Sequence, residues 1–384
     1  MIKKVVLTGG PSSGKTTVLN SIVKEFNKQG VKVIVVPETA TELITAGVRM
    51  FGEDKIDALD FQELVIRTMI FKEDNYYRAA EMYEKLYPNQ DVLIVLDRAI
   101  MDNLAYVGDE RFIEVLNRLG LNGNYSQIYN RYDLVINLVS NAKFFTLENN
   151  KARTESAREA LELGQRTLAG WIGHKNVKIV SPKENIDEKI NEVVGHINGL
   201  LNKEQLKLQK KYLVNLKNSD LNEILKDSKV SYIEQVYLIS DDNVEKRIRK
   251  IVNNNYDTYE LSVYKMKEDG SKVLDKEKNI SKKIYNELLQ FKAFNSGVIR
   301  KARYHFSYGD TCMYLDVFED NNEIGYLEIN YDWKDKITLP SYLDVISDVS
   351  NEKGYSNRKY AINDINLKRL LHNYVAVCFF FNII

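Results

Sequence analysis

The chain has 384 residues, long enough for two or three domains with a core apiece. Its 44% apolar and 28% charged content excludes a disordered or fibrous protein, and 54 basic against 54 acidic residues leave no excess charge for coating nucleic acid. Two cysteines and four scattered histidines exclude a disulfide framework and a cysteine- or histidine-rich metal centre. Met1-Ile2-Lys3-Lys4 leads straight into a strand pattern without the apolar stretch of a signal peptide, and the apolar run Tyr374 to Ile384 is too short to span a bilayer. No transmembrane segment and a cytoplasmic location are therefore expected.

The first half alternates strand and helix. Short apolar runs at Val5–Leu7, Val31–Val36, Val92–Leu96, Leu134–Leu138 and Val177–Val180 predict strands buried on both faces, as in a parallel sheet. Helical spacing over Thr16–Lys28, Ala58–Leu86 and Asn185–Leu201 separates several of them, which predicts an α/β domain. Near residue 200 the texture changes. Runs around Tyr232–Ile239, Arg247–Val252, Thr258–Met266, Ile299–Ser307, Cys312–Phe318 and Ile324–Tyr331 follow one another with few helices. Many of their positions alternate apolar with Lys or Arg, which predicts an antiparallel barrel with a charged lumen. The expected division is 1–202, 206–362 and a tail, 363–384.

Gly9-Gly10-Pro11-Ser12-Ser13-Gly14-Lys15-Thr16 fits G-x-x-x-x-G-K-[ST] between a strand and a helix. Glycines let backbone amides turn inward around phosphate oxygens, and the helix adds the positive end of its dipole. Residues Gly9 to Thr17 are thus the expected nucleotide-binding loop. Lys15 would reach the β and γ phosphates, while Thr16 and Asp97, at the end of the third strand, would hold Mg²⁺. Asp102 is a second acid nearby, read alternatively as a helix cap. Glu38, at the end of the second strand, is a candidate base or acceptor ligand, or a helix-capping acid. Arg153 and Arg158 follow the fourth strand, where a lid could close arginines over a phosphoryl group; a solvated helix face is the alternative.

Together with Pro37-Glu38, Asp97-Arg98, Asp102, Ala105-Tyr106, Arg131 to Val135, Arg153, Glu155-Ser156 and Ala160, this loop resembles one P-loop family. It is the AAA-labelled domain shared by the ribosylnicotinamide-kinase part of bacterial NadR regulators and the fly TRPL translocation defect protein. The resemblance covers roughly residues 1–200. It implies a nucleoside-kinase-like fold and leaves open both the acceptor and the choice between ATP and GTP.

The second half resembles the CYTH, or triphosphate tunnel, domains through Lys211 to Val214, Ile233, Gln235, Tyr237-Leu238, Arg247, Arg249, Lys265, Glu277, Lys301, Arg303, Leu315 to Phe318, Glu328 and Asp348 to Ser350. That resemblance implies a barrel in which Lys211, Arg247, Arg249, Lys265, Lys301 and Arg303 bind a triphosphate or similar polyanion. Six converging cations would repel one another unless an anion neutralises them. Catalytic members open with E-x-E-x-K, where this chain has Lys207-x-Gln209-x-Lys211. The later acidic pair is Glu328-x-Asn330. Only Glu277, Asp316 and Glu328 remain as candidate ligands of a tunnel metal, which weakens a hydrolytic reading more than an anion-binding one.

Two readings follow. One is a Mg²⁺-dependent kinase-like phosphotransferase or NTPase acting on ATP or GTP and a small acceptor, with Lys15, Glu38, Asp97 and Arg153 as its catalytic set. The other is a nucleotide-dependent switch that binds polyphosphate or a phosphoinositide headgroup. An active inorganic triphosphatase ranks below both.

Overall fold

The computed structural model describes all residues except 51, 122, 124, 141–156, 202–207, 255, 268–271, 332–336 and 363–384. The chain divides into two compact units. The first is Met1–Leu208 with Phe306–Met313 and Asn330–Leu339; the second holds Gln209–His305, Tyr314–Ile329 and the chain from Pro340.

The first unit is an α/β domain. Its strands β1 (Ile2–Thr8), β2 (Lys32–Val36), β3 (Val92–Asp97), β4 (Leu134–Leu138) and β5 (Val177–Val180) form a parallel sheet in the order β2-β3-β1-β4-β5. Its helices are α1 (Lys15–Lys28), α2 (Thr39–Thr45), α3 (Ala58–Leu86), α4 (Leu104–Val107), α5 (Asp109–Arg118), α6 (Tyr125–Tyr129), α7 (Ala157–Trp171) and α8 (Ile186–Leu201). The near-continuous apolar strands behave as their sequence dictates. Val6, Ile94 and Leu96 pack on one side with Val65, Ile66 and Met69 of α3, while Val5, Leu7, Leu93 and Val95 pack on the other with Val18, Ile22 and Phe26 of α1 and Val193 and Ile197 of α8. Burying each such side chain contributes roughly 1.5–3 kcal/mol. This order places β1 at the centre, between β3 and β4, so the loop leaving β1 opens beside the carboxyl end of β3.

The second unit is built on a nine-stranded antiparallel sheet, in the order β10-β9-β8-β7-β11-β12-β13-β6-β14. Its strands are β6 (Leu208–Asn215), β7 (Lys229–Leu238), β8 (Val244–Asn253), β9 (Tyr256–Met266), β10 (Lys272–Asn279), β11 (Ile299–Tyr308), β12 (Thr311–Phe318), β13 (Asn321–Tyr331) and β14 (Asp344–Asp348), with helices α9 (Leu221–Asp227) and α10 (Lys282–Leu288). Register decides which side chains share a face, because alternate residues point to opposite sides. In the β7–β8 ladder Gln235 pairs with Arg249 and Tyr237 with Arg247; across β8–β9 Arg247 pairs with Ser262 and Arg249 with Glu260. Lys265 lies one residue out of that set, opposite Val244.

Candidate functional site

The loop after β1 has the backbone a phosphate cradle needs. Gly9 sits at φ 132° and Gly14 at 86°, and Ser12 also takes a positive φ, of 57°. A Cβ on Gly9 would lie 2.1 Å from the Leu138 carbonyl oxygen, so only glycine fits against β4 there. Gly10 is as closely packed: a Cβ would meet Ser140 Oγ at 2.7 Å and the backbone of α7 at 2.9 Å. The loop is pinned from two further sides. Ser140 Oγ donates to the Pro11 carbonyl at 2.8 Å, and Lys189 of α8 donates to the Ser13 and Val139 carbonyls at 2.9 and 3.1 Å. Burial pushes the Lys189 ammonium down to about 8. Sequence reasoning missed Lys189, although a lysine inside the apolar stripe of Ile186, Ile190 and Val193 was the available signal.

Lys15, at the start of α1, folds back over this loop. Its ammonium donates to the Gly9 and Gly10 carbonyls, both at 3.0 Å. Burial, and then the neighbouring Arg98, lower its pKa to about 7. Thr16 and Thr17 are exposed in the first turn of α1, and Ser13 is buried.

Three charged residues at the ends of β2 and β3 belong to the same group. Glu38 directly precedes α2 but caps it with no side-chain hydrogen bond. It accepts instead from Arg98 Nε at 2.5 Å and from Thr41 Oγ1 at 2.8 Å. Burial favours its neutral form, but Arg98 and Lys15 outweigh that and hold the carboxyl below its ordinary range. Asp97 goes the other way: burial, then Glu38, push its carboxyl up, and its buried Oδ1 has no hydrogen-bond partner. Arg98 is buried at φ 67°, a conformation rare for a residue with a Cβ. Burial opposes its charge, but Tyr106, Glu38 and Asp102 hold it above its ordinary value, and its Nη1 is buried without a partner. The expected site residues Lys15, Glu38 and Asp97 thus do come together. Arg98 joins them as a residue that the sequence showed only as the neighbour of Asp97.

Asp102 has another task. Its Oδ1 accepts from the Thr8 hydroxyl and from Trp171 Nε1 at 2.9 Å, and its Oδ2 from the Ala99 amide at 2.8 Å. With its oxygens so engaged and its side chain buried, it ties β1, the turn after β3 and α7 together. Arg158 is an exposed residue paired with Glu162 on its own helix. Arg153 lies outside the described residues.

In the second unit the cations gather in two groups on the sheet. Asp316 of β12 takes Lys301 Nζ at 2.5 Å and a two-pronged hydrogen bond from Arg303, at 2.7 and 2.8 Å. Burial opposes its charge, but Arg303 and Lys301 hold the carboxyl far below its ordinary range. Glu328 of β13 takes Lys211 at 3.1 Å, Gln209 at 2.9 Å and the Tyr314 hydroxyl at 2.5 Å. The second group, Arg247 and Arg249 of β8, faces Gln235, Tyr237 and Tyr264.

One expectation needs correcting. Lys265 does not join these cations: its register puts it on the other face, 68% exposed and paired with Asp275 at 2.7 Å. Lys272, which the sequence did not single out, holds Glu245 of β8 at 2.7 Å. Glu277, Asp316 and Glu328, the expected ligands of a tunnel metal, each have protein partners here. Asp316 and Glu328 are each engaged by cations, Glu277 accepts from Ser262 at 3.3 Å, and no cluster of three potential metal ligands occurs among the described residues. Lys207 lies outside the described residues.

The loop, its central strand and the acid ending β3 define a P-loop domain. The family described as "AAA domain" matches residues 4–189. No curated protein matches the chain. Among solved structures, the inorganic triphosphatase NE1496 is 18% identical with a TM-score of 0.30, over 41% of this chain and 95% of that one. The PH1819 protein from Pyrococcus horikoshii OT3 is 15% identical with a TM-score of 0.25, over 33% of this chain and 80% of that one. Likenesses at this level say nothing of this chain's activity. Among the described residues, no helix is long and apolar enough to cross a membrane.

Proposed function

We propose that the first unit is a Mg²⁺-dependent nucleoside-triphosphate-binding phosphotransferase or NTPase, and that the second unit binds a phosphorylated anion. The observation that carries the first part is the cluster of Lys15, Glu38, Asp97 and Arg98 around a glycine-built loop, with buried polar atoms on Asp97 and Arg98 left without partners. Buried polar groups are normally paired, so two orphans side by side point to a ligand.

Asp97 Oδ1 and the Thr16 hydroxyl are hard oxygen donors and fit a magnesium ion, which when bound would neutralise phosphate charge. Loop amides would grip the phosphate chain. Lys15 would exchange its two carbonyl partners for phosphate oxygens, gaining a charge-assisted bond for two neutral ones. Arg98 Nη1 would donate to the transferring group. Glu38, held as a carboxylate by Arg98, would accept a hydrogen bond from the attacking hydroxyl or water and orient it. That suits a loose phosphoryl-transfer transition state, which asks for positioning more than for a strong base.

The test is incubation with γ-labelled ATP and GTP over a panel of nucleosides and ribosylnicotinamide. Label moving to an acceptor marks a kinase, and label released as phosphate marks an NTPase. Absence of nucleotide binding in folded protein refutes the reading. The anion-binding part rests on Arg247 and Arg249, neighbouring cations of β8 that donate to the Tyr264 hydroxyl and to Gln235 and repel each other.

A further inference from the structure

Glu38 is presented by the turn between β2 and α2, and that turn is held from a third element. The ammonium of Lys72, on α3, donates to the Pro37 carbonyl at 2.8 Å, to the Thr39 hydroxyl at 3.1 Å and to Glu42 of α2 at 2.7 Å. Two of these acceptors belong to the residues on either side of Glu38. The lysine side chain is 13% exposed and Thr39 is 1% exposed, so water has little access to replace either bond. An ammonium has three hydrogens to donate, and all three are used here. Lys72 therefore has none left for a substrate; what it fixes is the backbone from Pro37 to Thr39.

That backbone decides where the Glu38 carboxylate points. Glu38 stands at φ −61° and ψ 113° just before the first turn of α2, a position from which a side-chain acceptor ordinarily turns back to the helix amides, yet it makes no such bond. Oε1 takes Arg98 Nε instead, and Oε2 takes the Thr41 hydroxyl at 2.8 Å. Arg98 and Thr41 thus hold the carboxylate, while Lys72 holds the residues flanking its Cα. A glutamate is among the costlier side chains to order, so a fixed carboxylate needs both of its ends anchored. The Lys72–Glu42 contact is of another kind: Glu42 is half exposed, and such a pair contributes little by itself.

We propose that Lys72 is a positioning residue for phosphoryl transfer: by holding the Pro37 carbonyl and the Thr39 hydroxyl, it aims the Glu38 carboxylate at the attacking hydroxyl or water. The proposal rests on the phosphotransferase or NTPase reading of the first unit, and adds to it a residue outside the phosphate loop that acts only through Glu38. Misplacing a reacting group by about 1 Å can lower a rate by about 100-fold. Loss of Lys72 therefore falls on turnover and spares nucleotide affinity, which the loop and Lys15 set.

The experiment is turnover of γ-labelled ATP and GTP by the full chain, in a double-mutant cycle on Lys72 and Glu38, with calorimetric nucleotide binding as the control of folding. Lys72→Met should lower kcat by roughly 10- to 100-fold and change nucleotide affinity by less than about threefold. Glu38→Gln should also lower kcat. Adding Lys72→Met to it should lower kcat by no more than about threefold further, because a residue that acts through Glu38 then has nothing to position. Glu42→Gln, which leaves the Pro37 and Thr39 bonds in place, should keep kcat within about threefold of the wild type. If Lys72→Met does not fold, Thr39→Val decides: it removes one flanking acceptor, and its loss of turnover, about threefold or more, should disappear in the Glu38→Gln background. Losses that multiply in the double variant, wild-type turnover in Lys72→Met, or an equal loss in Glu42→Gln overturn the proposal and leave the enzyme reading standing. Wild-type turnover in Glu38→Gln, or no turnover by the folded wild type, overturns that reading and the proposal with it.

Discussion

Lys15 offers the sharpest test of the nucleotide site, through pH. In the ligand-free protein its ammonium rests on two neutral carbonyls, and burial and Arg98 bring it to about 7. A bound phosphate chain reverses that environment and raises the pKa, so that the complex keeps the proton. Arg98, Glu38, Asp97 and Asp102 act on the same group and Arg98 stays charged throughout; Lys189, at about 8 behind the Ser13 carbonyl, is common to the two proteins compared below, so their difference reports Lys15. Above pH 7 the free protein has lost the proton that the complex must carry. Affinity should therefore fall about tenfold per pH unit from 7 to 9, about 2.7 kcal/mol in all, and binding at pH 8 should take up roughly 0.9 proton. Below pH 7 this dependence should vanish. The sign for folding is opposite: a lysine whose native pKa is depressed makes the ligand-free protein gain stability as pH rises from 7 towards 10.5. The assay is calorimetry with ATP or GTP across pH, in buffers of differing ionisation heat, on the wild type and on Lys15→Arg. The arginine stays charged at every pH used and so flattens the profile. If the two proteins share one pH profile, or if no proton is taken up at pH 8, Lys15 does not titrate on binding and the argument fails.

Two other outcomes follow from the same cluster. Arg98→Lys keeps a positive charge but loses the fork that spans Glu38 and the unpartnered Nη1, so turnover should drop about 100-fold while nucleotide affinity changes by less than about threefold; steady-state rates beside calorimetry check this. Asp102→Asn removes one of the two buried oxygens that serve Thr8, Trp171 and the Ala99 amide, and should cost about 2–3 kcal/mol in denaturant unfolding. Nucleotide affinity measured on the fraction that remains folded should hardly move, and a selective loss of turnover would instead make Asp102 part of the chemistry.

Much of this protein could be read from local sequence. The parallel strands follow from apolar runs that must be buried on both faces, and the phosphate loop follows from glycines, a lysine and a threonine set between a strand and a helix. The succession of strands beyond residue 206 was equally visible in their alternation. Pairing partners were not. Whether Lys265 or Lys272 faces Arg247 depends on strand register and on an irregularity in the β9–β10 ladder between Leu274 and Lys276, and a shift of one residue turns a side chain to the other face. Whether Glu38 caps a helix or clasps Arg98 depends on the backbone of Arg98, bent into a left-handed conformation by its surroundings. Asp316 was marked only by the family resemblance, and nothing in the sequence showed that it meets Arg303 and Lys301, thirteen and fifteen positions away. Sequence supplies chemical groups and their period along the chain; only the packed fold sets which charges meet, because ion pairs and desolvation act over a few ångströms of space.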